Sequence, residues 1–235
     1  MATDVGSAEP VRSADREPDK PGLRDPLFFV SHANAAGIAG AARVAEADQL
    51  FVDFFGELSQ HVNELHYRRS GADPGFMDLT MEGGLAWERE VLKAVGTCHV
   101  FVALLSSPYV NHEWCALEWC AFRLRRSWRL AISGWTETNE CIVPVLWAPL
   151  SDAAMPAAVL EVERFSPPPL RAGRLAAAYR EQGLRGLKIT EPASYSAAVW
   201  WLALEIKQKL DDYRVESRVP RSRHDLANVF ETGES

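Results

Sequence analysis

Val100-Phe101-Val102-Ala103-Leu104-Leu105 carries no polar side chain and stops abruptly at Ser106-Ser107-Pro108. A run without polar alternation suits a strand covered on both faces, as in the middle of a parallel sheet with helices above and below. Reading outward, Leu27-Phe28-Phe29-Val30 is a similar run, bounded by Pro26 and by Ser31-His32. Gly75-Phe76-Met77-Asp78-Leu79 is a weaker strand after the turn-forming Gly71-Ala72-Asp73-Pro74. Cys141-Ile142-Val143-Pro144-Val145-Leu146-Trp147 is a fourth; its Pro144 is tolerated best at a sheet edge or bulge, because proline donates no ladder hydrogen bond. Leu187-Lys188-Ile189 is the candidate for a short fifth strand.

Helical periodicity fills the intervals. Phe51, Phe54, Phe55, Leu58, Val62 and Leu65 recur on one face, as do Trp87, Val91, Leu92 and Val95 after the Gly83-Gly84 break. A helix is expected from about Asn111, a good N-cap residue, another near Leu175–Gln182, and a last one marked by Val199, Leu202, Ile206 and Leu210. Strands alternating with helices predict an α/β fold of three layers, a five-stranded parallel sheet flanked by helices in flavodoxin-like strand order. Ligands of such sheets bind outside the carboxyl ends of the strands, near the switch between the first and third. That end would carry Ser31, His32, Ser106 and Ser107.

Composition narrows the function classes. The chain is 47% hydrophobic and 24% charged, ordinary for a globular protein. A formal charge of −7 and a pI near 5.4 argue against nucleic acid, whose phosphates need a basic surface. Residues 1–24 and 214–235 are rich in polar and charged groups and are expected to be a disordered N-terminal tail and a flexible C-terminal tail around one domain, 25–213. No apolar stretch is long enough to span a bilayer and no apolar leader opens the chain, so a cytoplasmic protein without membrane contact is expected. Cys98, Cys115, Cys120 and Cys141 form no CxxC pair and sit in apolar surroundings, as small buried residues of a reducing compartment do; no metal is expected.

Several chemistries lack their signatures. GxGxxG, GxxxxGK[ST] and GxSxG are all missing, which disfavours dinucleotide-dependent hydride transfer, phosphate-loop chemistry and a nucleophile elbow. A phosphoacceptor receiver would want acidic groups where Ser31-His32 and Ser106-Ser107 stand. The informative segment is Tyr109-Val110-Asn111-His112-Glu113-Trp114-Cys115-Ala116-Leu117-Glu118-Trp119. On a helix, Trp114 and Glu118 are one turn apart, within about 40° around the axis, beside an apolar stripe that continues through Leu117, Ala121 and Leu124. A carboxylate so close to the buried face must be desolvated, paired with a cation, or lining a cavity. Arg123, Arg125 and Arg126 are the nearby candidates for a buried ion pair.

These motifs, in this order, resemble Toll/interleukin-1 receptor (TIR) domains over most of the chain. Leu27-Phe28-Phe29-Val30-Ser31-His32 looks like the family's opening strand. Phe76-Met77-Asp78, Gly83-Gly84 and Trp87 are similar to its second strand and BB loop. Ser106-Ser107-Pro108-Tyr109 with Trp114-Cys115-Ala116-Leu117-Glu118 resembles its serine–tyrosine segment and WCxxE helix, and Ile142-Val143-Pro144-Val145 its fourth strand. Within the family the likeness is to bacterial TIR-like proteins, including those encoded with FxSxx-COOH peptide-maturation systems. The resemblance implies that the chain cleaves the nicotinamide–ribose bond of NAD⁺ as substrate, without a cofactor, in bacterial signalling or antiphage defence. Glu118 matches the catalytic glutamate; Phe29, Ser31, His32, Asp78, Trp87 and Trp114 fall where substrate would bind, though Phe29 and Trp114 equally suit a core. Arg43, Arg68 and Arg69 could meet the diphosphate. Self-association through TIR–TIR contacts is also implied, and a non-catalytic assembly module is the alternative. Two departures stand out: a long Ala/Gly-rich stretch between Ser31 and Leu50, and Met81-Glu82-Gly83-Gly84 without the proline common in the BB loop.

Overall fold

A computed structural model describes residues 17–18, 22, 24–33, 41–67, 71–78 and 84–231, without the side chains of 41–48 and 169–172. Four parallel strands, β1 (Phe28–Ser31), β2 (Gly75–Met77), β3 (Val100–Leu105) and β6 (Ile142–Leu146), form a sheet in the order β2-β1-β3-β6. Helix α7 (Pro192–Asp212) packs on α1 (Ala41–Leu65) and on α6 (Pro169–Thr190), which follows the short α5 (Ala157–Leu160), and α2 (Leu85–Thr97) packs with α4 (Glu113–Arg123). The strands explain this layering. Side chains alternate across a sheet, so Phe28 meets Phe55 of α1 while Phe101 meets Trp119 and Phe122 of α4. Every residue of β3 is buried, as its unbroken apolar run predicts. The result is an α/β fold with a parallel four-stranded sheet flanked by helices, compatible with flavodoxin-like wiring. Pro144 lies in β6, the edge strand, where a missing N–H is tolerated.

The expected fifth strand is a correction. Leu187-Lys188-Ile189 lies inside α6, with Leu187 fully buried. The helix expected near Leu175–Gln182 runs on through them, with a local irregularity: Gly183 adopts φ +66°, which only glycine takes readily, and a Cβ there would meet the Trp147 carbonyl oxygen at 2.7 Å. The Arg185 N–H, within the same helix, donates to that carbonyl at 2.9 Å. Asn111 is also reassigned. The Ser106 side chain caps the short α3 (Ser107–Val110), Asn111 terminates it, and His112 occupies the cap of α4.

Three further strands form an antiparallel sheet, β5-β4-β7, from β4 (Arg126–Arg129), β5 (Gly134–Glu137) and β7 (Tyr213–Val215). Trp128 faces Trp135 in register, ring centroids 5.3 Å apart, and the Arg126 guanidinium lies 4.1 Å over the Trp135 ring. Residues 214–231 are therefore not a loose tail but part of the folded unit, which passes the expected boundary at 213. Val215 and Phe230 are buried, because β4 needs a partner strand and Phe230 packs on Tyr109 and Trp119. The expected N-terminal tail lies almost wholly outside the described residues. All four cysteines are buried and free, and no described helix is long and apolar enough to cross a membrane.

Candidate active site

The sheet gathers one cluster at the carboxyl ends of β1, β2 and β3. Ser31 ends β1, Asp78 follows β2, and the turn after β3 leads into Tyr109 on α3 and Trp114 and Glu118 on α4. The parallel register pairs Phe29 with Phe101 and Ser31 with Ala103, so Phe29 and Ser31 share the face that α4 covers. Helix α4 in turn buries everything from Cys115 to Phe122, including Glu118.

Glu118 is 4% exposed. Ser31 Oγ donates to its Oε2 at 2.5 Å, and the Tyr109 hydroxyl donates to Ser31 Oγ at 3.1 Å. No lysine, arginine or histidine forms an ion pair with it among the described residues. Arg123 pairs with Glu161 at 3.1 Å and Arg126 with Glu216 at 3.6 Å. Arg125 donates to the carbonyls of Glu216 at 2.7 Å and Val95 at 2.8 Å. A buried ion pair with these arginines is therefore not what holds the carboxyl in place. Burial pushes the Glu118 carboxyl up to about 8 against the opposing Ser31 hydrogen bond; the Asp78 charge adds to the lift, and the Trp114 indole opposes it. Trp114 Nε1 has no partner at direct hydrogen-bonding distance among the described residues, so its influence acts over a longer contact. Burial thus favours the neutral acid at pH 7, with ionisation centred near pH 8.

Outward from this buried centre the cluster becomes half-exposed. Trp87 Nε1 donates to Asp78 Oδ2 at 2.6 Å, and the Trp87 and Trp114 rings lie 4.8 Å apart with planes inclined at 35°. Asp78, Trp87 and Trp114 all retain solvent contact. The titratable groups that share the Glu118 field are Asp78, Tyr109, Cys115 and Cys98; burial lifts the two thiols and the phenol above their ordinary ranges. The wall therefore offers two carboxyls, two indoles and a polarised hydroxyl around one centre. That set can stabilise a cation far better than an anion.

The structure brings Ser31, Asp78, Trp87, Trp114 and Glu118 together. Phe29 is fully buried, stacked between Phe76 and Phe101 at 5.5 and 5.6 Å, and supports the cluster from the core. The His32 ring lies 4.5 Å from Phe51 of α1, while its backbone carbonyl faces Cys115 Sγ at 3.4 Å. Arg68, Arg69, residues 34–40 and 79–83, and the Arg43 side chain lie outside the described residues. No group of three or more His, Cys, Asp or Glu among the described residues is arranged to hold a metal ion. Sequence reasoning missed two contributors. Tyr109 stood in the quoted serine–tyrosine segment without a role, and its signal was an apolar helix turn directly after Ser106. Phe230 is the lone aromatic residue of the 214–235 segment, a composition cue for an anchor. The chain matches no protein-family model, and no curated protein or solved structure is significantly similar to it.

Proposed function

We propose that the chain is a bacterial TIR-type domain that cleaves the nicotinamide–ribose bond of NAD⁺ with Glu118 as the catalytic carboxylate. The carrying observation is a buried carboxyl at the sheet's switch point, oriented by Ser31 and unpaired with any described cation, beside two half-buried indoles. The glycosidic C–N bond breaks with its electron pair leaving on nicotinamide, a neutral group that needs no proton. The ribose then carries oxocarbenium-like positive charge, and ionised Glu118 beneath it is stabilised and stabilising in turn. Water completes a hydrolysis, releasing one proton; a nitrogen of the adenine completes a cyclisation. Ser31 occupies Oε2 and leaves the other oxygen to meet the ribose. The Trp87 and Trp114 faces suit the cationic pyridinium before cleavage. The substrate's own positive charge favours ionisation of Glu118, so the neutral resting acid becomes the working carboxylate on binding.

One observation favours a second reading. At 4% exposure Glu118 barely meets solvent, as it would in a non-catalytic module acting in the cytoplasm through homotypic assembly. Nicotinamide release by concentrated protein, with and without a crowding agent, decides between them. Release that disappears in a folded Glu118→Ala variant supports the enzyme; none under any assembly condition supports the module.

A further inference from the structure

The segment after β7 is stitched across α2 and α4 at several points. The Glu216 N–H donates to the Arg126 carbonyl at 2.9 Å, and the Arg218 N–H to the Gly96 carbonyl at 2.9 Å. The Arg218 guanidinium reaches the Leu124 carbonyl at 2.6 Å, and the Arg223 N–H reaches Glu88 Oε1 at 3.0 Å. Contact with α2 is close enough that a Cβ on Gly96 would sit 2.7 Å from Val219 Cα. The path ends with Phe230, 9% exposed, its ring 5.7 Å from Tyr109 and 5.8 Å from Trp119. Tyr109 is itself fully buried, and its hydroxyl donates to Ser31 Oγ.

We propose that Tyr109 and Phe230 are positioning residues for Glu118, with the segment after β7 acting as a strap that sets the carboxyl from outside the parallel sheet. A serine hydroxyl has one proton and two lone pairs. The Tyr109 hydroxyl donates into Ser31 Oγ, which orients the serine proton toward Glu118 Oε2 and polarises that O–H. Remove the phenolic donor and Ser31 keeps its bond to Glu118 but loses the second tether that polarises its O–H. Remove Phe230 and the Tyr109 ring loses one of the walls that fixes its tilt. The ring contacts of Phe230 are with Tyr109 and Trp119, and its effect on Glu118 passes through them.

The inference rests on the proposed NAD⁺ cleavage for its effect on rate, but not for its effect on the carboxyl. The test is therefore a carbon-detected NMR titration of the Glu118 carboxyl, assigned with Glu118→Gln, alongside nicotinamide release. Tyr109→Phe and Phe230→Ala are compared with the conservative Phe230→Leu. The Glu118 midpoint is expected to rise by about one pH unit in the first two variants, the equivalent of one lost hydrogen bond. The kcat/KM at pH 7 is expected to fall about tenfold, and Phe230→Leu to restore most of both. An unmoved midpoint in folded Tyr109→Phe overturns the positioning role, whether or not Phe230→Ala folds. A midpoint that moves in protein releasing no nicotinamide keeps the positioning role and removes the proposed activity instead.

Discussion

Replacing Glu118 by glutamine should change how the protein's stability responds to pH, and the size of the change follows from burial. The carboxyl titrates near 4.5 when solvated and is pushed up to about 8 in the fold. Between those values the native state holds a proton that the unfolded chain has released. Stability therefore falls as pH rises from 4.5 toward 8 and levels off above it. At about 1.4 kcal/mol per pH unit, the loss accumulates to the order of 5 kcal/mol, a large share of a typical domain's total. Glutamine keeps the shape and an acceptor for Ser31 but never ionises. Urea unfolding of both proteins from pH 5 to 9 isolates the carboxyl, because every other titration is nearly common to the pair. The variant should gain steadily on the wild type, by about 1 kcal/mol or more per unit up to pH 8. A flat difference, or a wild type that gains on the variant as pH rises, would refute the reasoning and point to a Glu118 ionised beside a cation.

For the proposed reaction, kcat/KM should climb roughly tenfold per pH unit and reach a plateau just above pH 8, since free enzyme must lose the Glu118 proton; a pH–rate profile checks this, and a flat profile from 6 to 9 removes it. Gly183→Ala should lower stability by about 1–3 kcal/mol through its positive φ and the crowding against Trp147, measured by chemical denaturation. Arg125→Leu leaves the Val95 and Glu216 carbonyls without their donor and should lower stability by about 2–4 kcal/mol, with amide exchange rising first in β7.

What the sequence made legible was whatever one residue type decides locally. The unbroken apolar β3 identified itself, and Pro144 placed β6 at an edge, because neither depends on a distant partner. Ser31, Asp78, Trp87, Trp114 and Glu118 converge because the β–α alternation sets Ser31 and Asp78 at the strand ends, Trp87 and Trp114 in the first turns of α2 and α4, and Glu118 one turn further along α4. Leu187–Ile189 misled because three residues of strand-like composition lie on successive faces of α6, where Leu187 is buried and Ile189 is exposed. Strands β4, β5 and β7 were hidden for the opposite reason. Arg126-Ser127-Trp128-Arg129 becomes a strand only when Trp135 and Tyr213–Val215 close on it, and those contacts are long-range. The tail after residue 213 looked solvated because one phenylalanine in a polar segment reveals an anchor only once its pocket exists.

The most direct measurement is a proton NMR time course of the nicotinamide ring in NAD⁺ mixed with concentrated protein at pH 8, with light scattering on the same samples to score assembly. The account predicts conversion of the pyridinium signals to free nicotinamide by the wild type and none by an equally folded, equally assembled Glu118→Gln variant. Unchanged NAD⁺ in assembled wild-type samples, or equal conversion by the variant, would contradict it.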